Sequence, residues 1–153
     1  MEIKNTHTNH LKIAMRKITK IIVHCTATRV GRRVSVAEIN AWHRARGFRC
    51  IGYHYVVGLD GSVSVGRPIE EIGAHCKGEN AESVGIVYVG GLDTDGNPAD
   101  TRTAEQRKSL RRLVATLCRR YPGSTVHSHN EFAVKACPCF HAATEYADLS
   151  IPA

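Results

Sequence analysis

Apolar and polar positions switch between two periods along this chain, and the switches mark its elements. Lys20-Ile-Ile-Val-His-Cys-Thr-Ala-Thr28 is a β-branched run that turns small and polar, as a buried strand does where it enters a loop. Ser35-Val-Ala-Glu38 has the spacing of a capping box, and Val36, Ile39 and Trp42 then form an apolar stripe that stops at Gly47, which predicts a first helix. Gly52-Tyr-His-Tyr-Val-Val-Gly58 and Ser62-Val-Ser-Val65 flank Asp60-Gly61 and predict a hairpin, with Tyr53 and Tyr55 on one face and His54 on the other. Ser83-Val-Gly-Ile-Val-Tyr-Val-Gly90 predicts a central strand buried on both faces.

Thr103-Ala-Glu-Gln106 is a second capping box, and Leu110, Leu113, Val114, Leu117, Cys118 and Tyr121 follow at helical spacing until Pro122-Gly123 ends the run. Thr125 to His129 reads as a short strand, and Ala142 to Leu149 as a short closing helix. Strands and helices alternate, so the expected class is α/β: a single-domain mixed β-sheet flanked by helices.

Composition and charge adjust this picture. A chain of 153 residues, 42% of them hydrophobic, suffices for one core of its own. The formal charge of +7 favours anionic partners such as nucleic acid, cell-wall polymer or acidic lipid headgroups. Residues 1–20 carry Lys4, Lys12, Arg16, Lys17 and Lys20 against one acid, and are read as a mobile basic arm ahead of a domain over 21–150. The apolar runs are too short for membrane insertion and the N-terminus lacks the apolar core of a signal peptide, so synthesis and retention in the cytoplasm are expected. Six cysteines in a chain of this length, with no export signal, are expected to be reduced thiols.

The densest chemistry lies in His127-Ser-His-Asn-Glu-Phe-Ala-Val-Lys-Ala-Cys-Pro-Cys-Phe140, which combines imidazoles, thiols, a carboxylate and an amine. Two histidines two apart share one side of an extended chain, and thiolates are soft metal ligands, so the segment can hold two corners of a zinc site. A catalytic zinc takes three protein ligands and leaves a fourth position to water. His24, at a strand end followed by polar Thr26 and Thr28, is the candidate for the third corner. Spacing alone leaves His127 or His129, and Cys137 or Cys139, open as the pair within the segment.

Ile22-Val-His-Cys-Thr-Ala-Thr28, Gly52-Tyr-His-Tyr55, Gly73-Ala-His-Cys-Lys-Gly-Glu-Asn80, Ser83-Val-Gly-Ile86 and His129 through Lys135-Ala-Cys-Pro138 resemble, in order, the motifs of the zinc N-acetylmuramoyl-L-alanine amidases. The likeness is strongest to the short phage-lysozyme type, whose fold is shared with peptidoglycan recognition proteins. It implies one catalytic Zn2+ on His24, His129 and Cys137, Tyr53 and Lys135 as catalytic side chains, and His75 and Asn80 as substrate contacts. It implies cleavage of peptidoglycan between N-acetylmuramic acid and the L-alanine of the stem peptide, by a phage or prophage endolysin that reaches the wall after release. Cys139 departs from the motif, which more often has a small non-thiol residue there.

Two other classes compete. A non-catalytic peptidoglycan-recognition module would keep the groove, but such members typically lack the cysteine ligand that Cys137 provides here. A nucleic-acid or polymerase-binding role would draw on the charge, but only 6% of the residues are aromatic and no nucleic-acid motif is present.

Overall fold

The computed structural model describes residues 16–153. Most of the stretch read as a basic arm lies outside the described residues. Its last residues do not hang free: the Arg16 guanidinium donates to the carbonyls of Ile69 and Ala81 at 3.1 Å each, and Ile18 is buried.

Strand β1 (Lys20–Cys25) lies between β5 (Ser83–Tyr88) and β7 (Thr125–Ser128), parallel to both. Strand β3 (Tyr55–Val57) runs parallel to β5 on its other side, and β4 (Val63–Val65) closes the edge antiparallel to β3. The order is therefore β4-β3-β5-β1-β7, a mixed sheet as the element pattern predicts. Two short strands, β2 (Thr28–Arg29) and β6 (Gly91–Leu92), pair separately and parallel.

Alternation along β1 sorts the two faces. Ile21, Val23 and Cys25 join a core beneath helix α2 (Ala104–Arg120) and the short α3 (Ala142–Glu145). Ile22 and His24 point the other way, toward the face where α1 (Val36–Ala45) packs Ile39 against Val56, Val87 and Val89. All six residues of β5 are buried, so each of its valines and isoleucines contributes about 1.5–3 kcal/mol by leaving water.

Both capping boxes form. Ser35 Oγ accepts from Glu38 N–H at 3.1 Å and Thr103 Oγ1 from Gln106 N–H at 3.0 Å, and each N3 side chain bonds back to its cap residue's amide. Two details depart from the pattern. Trp42, expected on the inward stripe of α1, is 37% exposed under Arg32, and the buried partner of Ile39 is His43, one turn on. Tyr53 and Tyr55 do not share a face: Tyr55 packs on the α2 side and Tyr53 on the α1 side. The regular strand begins only at Tyr55, after a bend at His54, so strict period-two alternation does not extend back to Tyr53.

Arg102 ties the C-terminal segment to the sheet layer. Its guanidinium is fully buried between the carboxylates of Asp100 (2.9 Å) and Glu145 (2.6 Å), and it lies 3.3 Å from the Phe140 ring centroid. The guanidinium is the buried member of this cluster, while Asp100 and Glu145 keep contact with solvent and Asp100 also pairs with Arg107. Arg102→Ala, which loses these charge-assisted hydrogen bonds and the packing on Phe140, is expected to lower the unfolding free energy by about 1.5–3 kcal/mol in urea denaturation, whereas Arg112→Ala on the exposed face of α2 stays within about 0.5 kcal/mol of the parent.

Candidate active site

The register of β1 and β7 builds the site. Val23 is paired with Ser128, so the next residues, His24 and His129, leave adjacent strands side by side. Their rings tilt together with centroids 4.5 Å apart. His129 already belongs to a 3-10 turn (His129–Glu131), and the chain then loops back so that Asn130 N–H bonds Cys137 O at 3.0 Å. The Tyr88 hydroxyl holds the loop's far side by donating to Pro138 O at 2.6 Å. Cys137 Sγ thereby accepts the Cys25 backbone N–H at 3.1 Å. Ligand atoms of His24, His129 and Cys137 all lie within 4.8 Å of one another.

The electrostatics suit a cation. Burial, reinforced by the neighbouring His75 and His129, pushes the His24 pKa well down, and burial with Lys135 nearby lowers that of His129. Both rings are neutral at pH 7 and carry a free lone pair. Hydrogen bonding from Cys25 lowers the Cys137 thiol, while the same contact and burial push Cys25 up, so Cys137 ionises in preference to its neighbour. His24 Nδ1 is buried with no hydrogen-bond partner among the described residues. A buried, unengaged ring nitrogen beside a second imidazole and a cysteine sulfur is a donor set that suits zinc.

Above these groups opens a groove of about 530 Å³. Tyr53, at 5.1 Å between ring centroids from His24, and Lys135 line it from distant parts of the sequence. Burial raises the Tyr53 pKa, so its phenol remains a hydrogen-bond donor at neutral pH. His75 and Asn80 also line the groove, with both ring nitrogens of His75 and the Oδ1 of Asn80 engaged within the protein. His75 bonds His24 and Ser83 through its two ring nitrogens, and Asn80 Oδ1 accepts the backbone N–H groups of His75 and Cys76 at 2.9 Å each.

The neighbours of the triad take other roles. His127 bonds Thr125 Oγ1 at 2.7 Å and Glu131 Oε1 at 3.0 Å, and Cys139 Sγ points to Gly91 O at 3.4 Å. His127 and His129 part company because the strand ends between them, at Ser128. Glu131 caps its own turn by accepting the Ser128 N–H and pairs with His127. One wall of the groove was not anticipated: His43, Arg46 and Phe48, from the end of α1 and the loop after it. The signal was the i, i+4 relation of His43 to the buried Ile39, masked by the more apolar Trp42.

An α/β layer with two histidines at strand ends and a cysteine from the loop that follows, beneath an open groove, has the architecture of peptidoglycan amidases, and comparison with known proteins agrees. The N-acetylmuramoyl-L-alanine amidase family model matches residues 14–140, and the chain belongs to that family. It is 41% identical over 125 residues to the endolysin of Klebsiella phage KP32, covering 82% of this chain and 83% of that one. It is 30% identical over 140 residues to a peptidoglycan-recognition protein of Drosophila melanogaster, covering 86% and 74%. Among solved structures, the N-acetylmuramoyl-L-alanine amidase LysC from Clostridium intestinale superposes with a TM-score of 0.74 at 28% identity, covering 88% and 87%.

The buried histidines also set an acid limit. Gly85 N–H donates to His54 Nδ1 at 3.0 Å, so the ring's proton sits on Nε2 and is given to Glu71 O at 2.8 Å. Burial lowers the His54 pKa to about 4, so the unfolded chain binds a proton below about pH 6.5 that the folded one refuses until about pH 4. Stability is thus present above pH 6.5 and lost as pH falls. Urea denaturation at pH 7 and pH 4 is expected to show a loss that His54→Gln reduces by about 2–3 kcal/mol.

Proposed function

We propose that the chain is a zinc-dependent endolysin which cleaves the amide between N-acetylmuramic acid and the first L-alanine of the stem peptide. The observation that carries the metal is the convergence of His24, with its buried unpartnered Nδ1, on His129 and the Cys137 sulfur. These three residues would hold the ion. When bound, zinc supplies an acidified water, its pKa lowered from about 15.7 to about 7, and a Lewis acid for the scissile carbonyl.

The chain's own groups supply the rest. The Tyr53 hydroxyl donates to the carbonyl oxygen as negative charge grows there, and the Lys135 ammonium faces the same charge. Arg46, Lys77 and Lys135 line the groove, whose lining among the described residues contains no carboxylate, which suits a stem peptide carrying carboxylates. Phe48 and Phe132 provide apolar surface for the uncharged parts of the substrate. The domain assignment over 21–150 is read with residues 16–20 as its packed lead-in, and the enzyme acts on the wall after release from the producing cell. A recognition module without catalysis is disfavoured by the intact thiol ligand.

Purified sacculi treated with the zinc-loaded protein are expected to yield new L-alanine amino termini; none at full zinc occupancy would overturn the enzymatic reading. Cys137→Ser is expected to lose both metal and activity, with Cys139→Ser keeping both. Undiminished zinc in the first variant would move the ligand elsewhere. Tyr53→Phe is expected to keep its zinc while kcat falls by about 10²–10³-fold, the usual effect of one lost donor to an oxyanion.

A further inference from the structure

His24 has a second nitrogen, and the structure gives it a partner. His24 Nε2 lies 2.8 Å from His75 Nδ1, and His75 Nε2 lies 3.2 Å from Ser83 Oγ. All three residues are buried, His24 to 1% exposure, His75 to 8% and Ser83 to 0%. The His75 ring occupies a slot that β5 leaves open at Gly85, where a Cβ would stand 2.5 Å from His75 Cγ. Asn80 Oδ1 fixes its backbone from the other side.

A neutral imidazole carries one N–H and one lone pair, so the contacts order the protons. If His24 Nδ1 presents its lone pair to the triad, Nε2 carries the hydrogen and donates to His75 Nδ1. His75 then has its own hydrogen on Nε2 and donates to Ser83 Oγ. The opposite arrangement would strand an N–H on the buried Nδ1, which has no acceptor among the described residues to replace the water it lost.

We infer that His75 is a positioning residue for His24: it accepts the Nε2 hydrogen, fixes the ring's orientation and tautomer, and is itself anchored by Ser83. The partner of a metal-binding histidine is more often a carboxylate, a backbone carbonyl or water. An imidazole in that place adds no negative charge, so Cys137 remains the anionic member of the site. Glycine at position 85 follows from this role, since any side chain there would collide with the His75 ring. The assignment rests on the zinc reading where it concerns metal affinity, while the tautomer is a property of the metal-free protein.

The test has two arms. Long-range proton–nitrogen spectra of the metal-free wild-type protein are expected to show His24 protonated at Nε2 and bare at Nδ1, and His75 protonated at Nε2. A hydrogen on His24 Nδ1 would overturn the inference. In chelator competition, His75→Ala is expected to weaken zinc binding by about 10–100-fold, and His75→Asn, whose amide oxygen can stand near the lost Nδ1, to recover most of that loss. Wild-type zinc affinity in His75→Ala, with only KM raised, would make His75 a substrate contact and overturn the inference. If the wild-type protein bound no zinc, the zinc reading would fail, and the metal-free spectra would still decide the tautomer.

Discussion

The parallel pairing of β1 with β7 is the constraint on which the site depends. Because Val23 faces Ser128 in that ladder, the residues that follow emerge together at the same edge of the sheet. Both are histidines. A slip of one residue would turn His24 into the α2 core and bring Cys25 to the groove face, because side chains alternate strictly along a strand. The register is fixed by burial: Ile21, Val23 and Val126 fill the α2 side, and Cys25 donates its backbone N–H to the Cys137 sulfur. Fold and chemistry are thus set by the same ladder.

Around that ladder the molecule uses its polar interactions to hold loops still. Tyr88 reaches through the core to Pro138, Ser128 Oγ donates to Phe140 O, and Arg102 gathers Asp100, Glu145 and Phe140. The histidines behind the groove form a second layer. His54 is locked by Gly85 N–H and Glu71 O, and His75 spans His24 and Ser83. A groove whose base is held by hydrogen bonds and whose rim carries exposed cations, Lys77 and Lys135, suits a polymer substrate that must be held in one pose over reacting groups.

How much of this could be read from the residues depended on whether the signal was local. β1, β5 and both capping boxes were legible because each is written in a few consecutive positions. The ordered motifs also point to His24, His129 and Cys137, the three residues whose ligand atoms the structure brings together, although spacing alone leaves His127 and Cys139 in contention. What was not legible depends on where a strand begins or ends. Tyr53 falls on the opposite side from Tyr55 because the chain bends at His54 before the regular strand begins, and His127 separates from His129 because the strand stops at Ser128. Long-range partners were invisible for the same reason. Nothing near His75 announces a bond to His24, 51 residues earlier, and nothing near Arg102 announces Glu145.

The proposed metal centre, two imidazoles and one cysteine sulfur brought together at the ends of adjacent strands, is open to X-ray absorption at the zinc edge of the stoichiometrically loaded protein. One sulfur scatterer at about 2.3 Å is expected together with nitrogen or oxygen scatterers at about 2.0–2.1 Å. A spectrum with no sulfur neighbour, or with two, would contradict that proposal.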